Sequence, residues 1–160
     1  KQQDFHLKEL SLYAMENQNI SQSILKWCVY MLAEEESSEL PQLCVESLEH
    51  CFTGLKVALK LWPCPEYVPA RFGGVSPELK MHVEALEKPY CGQEYPEEIN
   101  SWFEDKPASV AVLPLDDETT AIGALVFASD DPDHFTEQMG LSFLLIISAL
   151  AGAALGRTML

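Results

Sequence analysis

Five cysteines and four histidines are the side chains that chemistry would draw on first: Cys28, Cys44, Cys51, Cys64 and Cys91, with His6, His50, His82 and His134. Redox work by a thiol needs a thiolate held by a nearby positive group and a second thiol within reach. A structural zinc site needs paired ligand spacings. The cysteines are odd in number with no C-x-x-C pair, and the histidines form no H-x-x-x-H or H-E-x-x-H, so neither a disulfide framework nor bound zinc is expected. Three of the thiols lie in apolar helical patterns, where free cysteine acts as a small hydrophobe. Cys64 and Cys91 fall outside those patterns, with Arg71 and Lys88 as the cations expected near them. Unpaired thiols suit a reducing, cytoplasmic setting. The chain has no P-loop and no G-x-S-x-G, so kinase, cyclase, phosphodiesterase or protease chemistry has no support, and no cofactor is expected.

A second constellation runs from Pro63 to Phe103, where Tyr67, Arg71, Phe72, His82, Tyr90, Cys91, Trp102 and Phe103 set rings among a few polar groups. Rings bury most of a small organic ligand while a cation or a free backbone donor orients it. Tyr67, Arg71, His82, Tyr90, Cys91 and Trp102 are candidate ligand contacts if the fold sets a pocket against this segment, a placement that only a family resemblance implies. Each has a plainer role beside it: Trp102 and Phe103 as core residues, Arg71 as a surface partner for one of many acids.

Elements must position these side chains. From residue 3 to about 32, Leu10, Tyr13, Asn17, Ile20, Ile24, Trp27 and Met31 alternate steps of three and four, a seam that suits a helix lying along a partner helix. An ordinary amphipathic helix on a core, or a break near Asn19, fits equally well. After the solvated EEESS, Ser38 is expected to cap a second helix with Pro41 in its first turn and Leu40, Leu43, Cys44, Leu48, Cys51 and Phe52 on one side, stopped by Gly54. LKVALKLW alternates strictly, predicting a strand with Leu55, Val57, Leu59 and Leu61 on one face and Lys56, Ala58 and Lys60 on a wet or partly wet one. Prolines and glycines then make the chain irregular, Ser76-Pro77-Glu78 starts a short helix, and Pro96 opens another. Ser109 to Leu115 and Ala121 to Ala128 are nearly continuously apolar, as central strands are, and DDETT joins them as an antiparallel hairpin in which Gly123 marks a bulge or a close backbone approach.

The segment Met139 to Gly156 contains no charged residue. It is at the lower limit of a membrane span, but its serines and glycines and the absence of a basic flank oppose that role. A helix apolar all round must cover more than one face, one on the sheet and another most simply on a second copy. Ser148, Gly152 and Gly156 recur every four residues as a small-residue groove whose partner is either that copy or the chain's own N-terminal helix. The expected dimer interface is thus Leu10, Ile20, Ile24, Trp27 and Met31 with Ser148, Gly152 and Gly156.

At 160 residues, 48% hydrophobic and 22% charged, the chain has the make-up of one globular domain, not of a disordered or fibrous protein. Ten Lys and Arg against 25 Asp and Glu leave a net charge of -15, which repels phosphate backbones and anionic headgroups; nucleic acid and membrane are not expected partners. The chain opens with KQQDF, without Met or signal-peptide design, so a fragment of a longer chain is expected rather than an exported protein.

The final third, SVAVLPLDDETTAIGALVFASDDPDHFTEQMGLSFL, resembles the GAF-like domain of domain-of-unknown-function family 484, a bacterial family. Pro114-Leu115 matches the end of the family's first strand, Gly123 the start of the second, Ser129, Asp131 and Pro132 the following turn, Phe135 its aromatic, and Met139-Gly140 the helix start. Asp130 stands where the family usually has Arg. PYCG at Pro89 to Gly92 also matches, and the resemblance covers roughly 25–160. The turn has a plain structural explanation as well: Asp130 and Asp131 can bond nearby backbone donors, while Phe135 anchors the helix that follows.

The resemblance implies an α+β, GAF-like fold: a central antiparallel sheet, N- and C-terminal helices on one face, loops with short helices on the other. Residues 1–34 would be an N-terminal helical segment and 35–160 the GAF-like domain, with a pocket between the sheet and segment 63–103. Three functions follow from it. The first is a non-enzymatic sensory or regulatory module that dimerises through its terminal helices and takes a small molecule. The second is an adaptor whose pocket is filled by its own side chains. The third, from GAF-fold proteins that use loop cysteines, is methionine sulfoxide reduction by Cys64 and Cys91.

Overall fold

The computed structural model describes residues 19–117, 120–137 and 141–159. The seam positions Leu10, Tyr13 and Asn17 lie outside the described residues, as do Glu118 and Met139-Gly140. Four strands, β1 (Lys56–Leu61), β2 (Tyr90–Gly92), β3 (Ser109–Asp116) and β4 (Ala121–Ser129), form one antiparallel sheet in the order β1-β4-β3-β2. The two apolar runs are its central strands, as their lack of polar alternation requires. They pair from Ser109↔Ser129 to Leu115↔Gly123, with an irregularity at Leu115/Asp116. The bulge therefore sits opposite the start of β4, and Gly123 is the close approach: a Cβ there would overlap the Lys60 carbonyl on β1. β2, only three residues, is too short for any alternation to announce.

One face of the sheet carries α1 (residues 19–33), α2 (Leu40–Cys51) and α4 (Ser142–Leu155). Val57, Leu59, Leu61, Ala111, Leu113, Leu125 and Phe127 meet Ile24, Trp27, Met31, Leu40, Cys44, Leu48, Leu144, Ile147, Ala151 and Leu155 in one core. Here the seam expected to meet a second copy is corrected. Ile24, Trp27 and Met31 are buried within the chain itself and Ile20 packs against the same core, because the apolar stripe of α1 lies on the sheet layer. The described part of segment 1–34 thus shares the core of 35–160. Opposite that stripe, Leu25, Val29 and Leu32 face out.

Ser38 does not cap α2. Residues Ser37–Glu39 form a 3-10 turn that runs straight into the helix, and the Ser38 hydroxyl donates to Glu36 Oε1 instead. Pro41 does occupy the first turn, and Gly54 (φ 89°) supplies the left-handed residue that turns the chain toward β1.

The second face is covered by α3 (Pro77–Glu84) and a 3-10 helix, Glu97–Trp102, preceded rather than opened by Pro96. Trp62, Leu79, Val83 and Ile99 close over Val110, Val112, Ala124, Val126 and Ala128. The face expected to be wet or partly wet is wet at one end only: Lys56 is exposed, Ala58 is buried and Lys60 is half-buried. Ser76 caps α3 by accepting from Leu79 N at 3.2 Å.

The small-residue row of α4 also has an intramolecular partner, which is neither of the two expected. β2 pairs with β3 only at Val110, Ala111 and Val112, so the rest of β3 has no strand neighbour on that side. α4 takes its place. Ser148 Oγ donates to Pro114 O at 2.8 Å, a Cβ on Gly152 would overlap the Asp116 carbonyl, and one on Gly156 would lie 3.5 Å from Asp117 Cβ. Four helical residues rise about 6 Å and two strand residues about 6.6 Å, so the two repeats run in step. Among the described residues no helix is long and apolar enough to cross a membrane.

Candidate functional site

The candidate ligand residues do not converge. Tyr67 and Arg71 belong to segment 63–74, which runs along the β1 edge, whereas Tyr90 and Cys91 lie on β2, the opposite edge. Three strand spacings, about 14 Å, separate those edges. Tyr67 is 54% exposed, and His82 projects from α3 into solvent. Tyr90 and Cys91, being neighbours in a strand, face opposite sides of the sheet. Tyr90 packs with the second core and Cys91 is buried in the first. The space expected for a ligand is occupied by Trp62, Leu79, Val83 and Ile99.

What the fold does bring together is Lys60, Trp102 and the segment around Arg71. Lys60 Nζ donates to Arg71 O at 2.7 Å and Gly73 O at 3.4 Å, and stands 5.4 Å from the centre of the Trp102 ring. Burial pushes its pKa down, opposed by Glu98 and Cys64. Glu98 is itself engaged: it accepts Ser76 N at 3.0 Å and the Ser76 hydroxyl. The Arg71 guanidinium stacks on Phe72, 4.7 Å from the ring centre, and donates to the Gln42 side chain. Arg71 thus bonds an amide where one of the acids was expected. Val68 and Phe72 are buried, fastening the segment beside β1.

Lys60 was hidden in the sequence by its alternation, which placed it with Lys56 on a wet or partly wet face. Its one signal is the adjacent Trp62, on a strand that leads into a proline-rich segment.

The thiols are poorly placed for redox chemistry. Burial pushes Cys91 up to about 11, which disfavours its thiolate at neutral pH. Cys64 is also raised by burial, partly offset by Lys60, the cation that the fold sets beside it in place of Arg71 and Lys88. Cys44, fully buried, is pushed up to about 12. Among the described residues no group of three or more His, Cys, Asp or Glu is arranged to hold a metal ion.

The turn after β4 is tied by its own hydroxyls. Ser109 Oγ donates to Asp131 O at 2.7 Å and accepts from Phe135 N at 3.2 Å, Ser129 Oγ accepts from Asp131 N at 3.1 Å, and Asp133 N donates to Asp131 Oδ1 at 2.9 Å. Ser129 Oγ also lies 3.2 Å from His134 Nδ1. Because Oγ is buried and already accepts a backbone N–H, the Ser–His pair closes a turn and does not present a nucleophile.

The described residues also line open clefts. One, of about 420 Å³, lies where Leu86 and Lys88 approach Pro114, Thr120 and Ser148; another, about 530 Å³, is lined by the Cys64–Gly74 segment. No curated protein matches the sequence at a significant level. Over residues 2–158, almost its whole length, the sequence matches the family described as "Protein of unknown function, DUF484", and the chain, with its single antiparallel sheet between two helical coverings, belongs to that family.

Proposed function

We propose that this chain is a non-enzymatic regulatory module of GAF-like architecture that pairs with a second copy through the outer stripes of α1 and α4. The supporting observation is the exposure of large apolar residues on both helices of one layer. Leu25 and Val29 are 66% exposed and Leu32 78%, while Leu145, Ile146 and Leu150 of a helix without charge are 37–50% exposed. Together they offer apolar area on the order of the ~800 Å² that each partner of a standard interface buries. The interface moves accordingly from the inward seam to the opposite stripe. Native mass spectrometry at micromolar concentration is expected to find a dimer, and the Leu25→Glu/Ile146→Glu variant a folded monomer. A monomer in the unmodified protein removes the proposal.

A second function, an adaptor that uses no small molecule, is favoured by the side chains of Trp62, Leu79, Val83 and Ile99 filling the second face. A thermal-shift screen with nucleotides, amino acids and hydrophobic metabolites separates the two, since a ligand that binds the native state raises the melting temperature. Methionine sulfoxide reduction has little support with Cys64 and Cys91 at opposite edges of the sheet and both thiols raised by burial. An assay of free methionine sulfoxide is expected to show no turnover.

A further inference from the structure

We propose that Lys60 and Trp102 form a covered anion site, with the backbone of Arg71 and Gly73 standing in for the ligand. The chain has 25 acidic residues, yet the ammonium half-buried in the second face is held by two neutral carbonyls, at 2.7 and 3.4 Å. Glu98, the carboxylate that acts on it through space, is committed to Ser76 and the start of α3. A partly desolvated cation with only neutral acceptors gains most from a full negative charge, because a charge-assisted bond is about twice as strong as a neutral one.

Trp102 sets the shape of the ligand. Its half-buried ring lies 5.4 Å from Nζ, so an anion bonded to the ammonium has a flat apolar surface beside it. The class indicated is a small planar carboxylate. The carbonyls it displaces belong to a short 3-10 turn, Ala70–Phe72, and to Gly73, which is followed by Gly74 in the left-handed region (φ 73°). Trp62 and Ser76, bonded to Ile122 O and to Glu98, fix the chain on either side of this segment. The site is independent of any pairing through α1 and α4.

Benzoate is the probe, with benzamide as its neutral isostere, titrated into the full chain and followed by tryptophan fluorescence. Saturable quenching by benzoate at roughly millimolar concentration, without a response to benzamide, is expected. The affinity falls about tenfold or more in Lys60→Met and stays within about threefold in Lys60→Arg. The quenching disappears in Trp102→Phe, which leaves Trp27 and Trp62 in place. No response to benzoate up to about 20 mM, an equal response to benzamide, an unchanged affinity in Lys60→Met, or a signal that persists in Trp102→Phe overturns the assignment. Should Lys60→Met fail to fold, the benzoate and benzamide titrations of the unmodified chain decide alone.

Discussion

Replacing Gly152 with alanine is expected to destabilise the protein by about 3 kcal/mol, the upper end of the range for forcing extra volume into a packed site. The new Cβ would overlap the Asp116 carbonyl, a backbone atom at the end of a central strand that cannot swing aside as a side chain would. α4 would have to lift from β3, and Ser148 Oγ would lose Pro114 O, leaving an acceptor without its donor where β2 no longer runs alongside. For a chain of this size that is a fall in melting temperature of roughly 10 °C. Chemical denaturation and calorimetry measure it directly. The oligomeric state of the fraction that remains folded is expected to be unchanged. If Gly152→Ala kept its stability and lost its dimer, the row Ser148, Gly152 and Gly156 would be an intermolecular groove after all.

Trp27→Ala is expected to cost about 3–5 kcal/mol, the range for truncating a large buried aromatic. Trp27 is fully buried between α1 and the sheet layer. Among the described residues its indole Nε1 has no hydrogen-bond partner, so Trp27→Phe removes a buried donor without breaking a bond seen there and is expected to cost much less than the alanine change. Urea unfolding of the three proteins supplies the comparison. A loss below about 1 kcal/mol in Trp27→Ala would mean that the ring belongs to an interface between chains and not to this core.

Both predictions fall on residues whose types were plain and whose partners were not. The heptad spacing of Ile24, Trp27 and Met31 shows that one stripe of α1 is buried, but the same period serves a partner helix and the chain's own core. The four-residue recurrence of Ser148, Gly152 and Gly156 likewise announces a close approach without saying to what. Lys60 is the clearest case. Period-two alternation assigns it to a face, and whether that face is wet depends on α3 and the Glu97–Trp102 turn, which come later in the chain.

The candidate ligand residues were scattered for a similar reason. Tyr67, Arg71, Tyr90 and Cys91 lie within 25 positions of one another, and the GAF-like resemblance implied one pocket against their segment. The order β1-β4-β3-β2 sends the segment after β1 and the strand β2 to opposite edges, because the hairpin of β3 and β4 inserts between them.

Sequence alone determined the local terms: the two buried strands and their hairpin, the alternation of β1, the start of α3 at Ser76-Pro77, the uncharged α4, and the family. These follow from side-chain period and backbone preference, which act over a few residues. Tertiary structure decided what each exposed or small residue meets. The Asp116 carbonyl seats itself on Gly152, the Arg71 and Gly73 carbonyls close on Lys60, and Cys91 turns away from Tyr90, since backbone groups far apart in the chain have no signature in side-chain pattern until the sheet order brings them together.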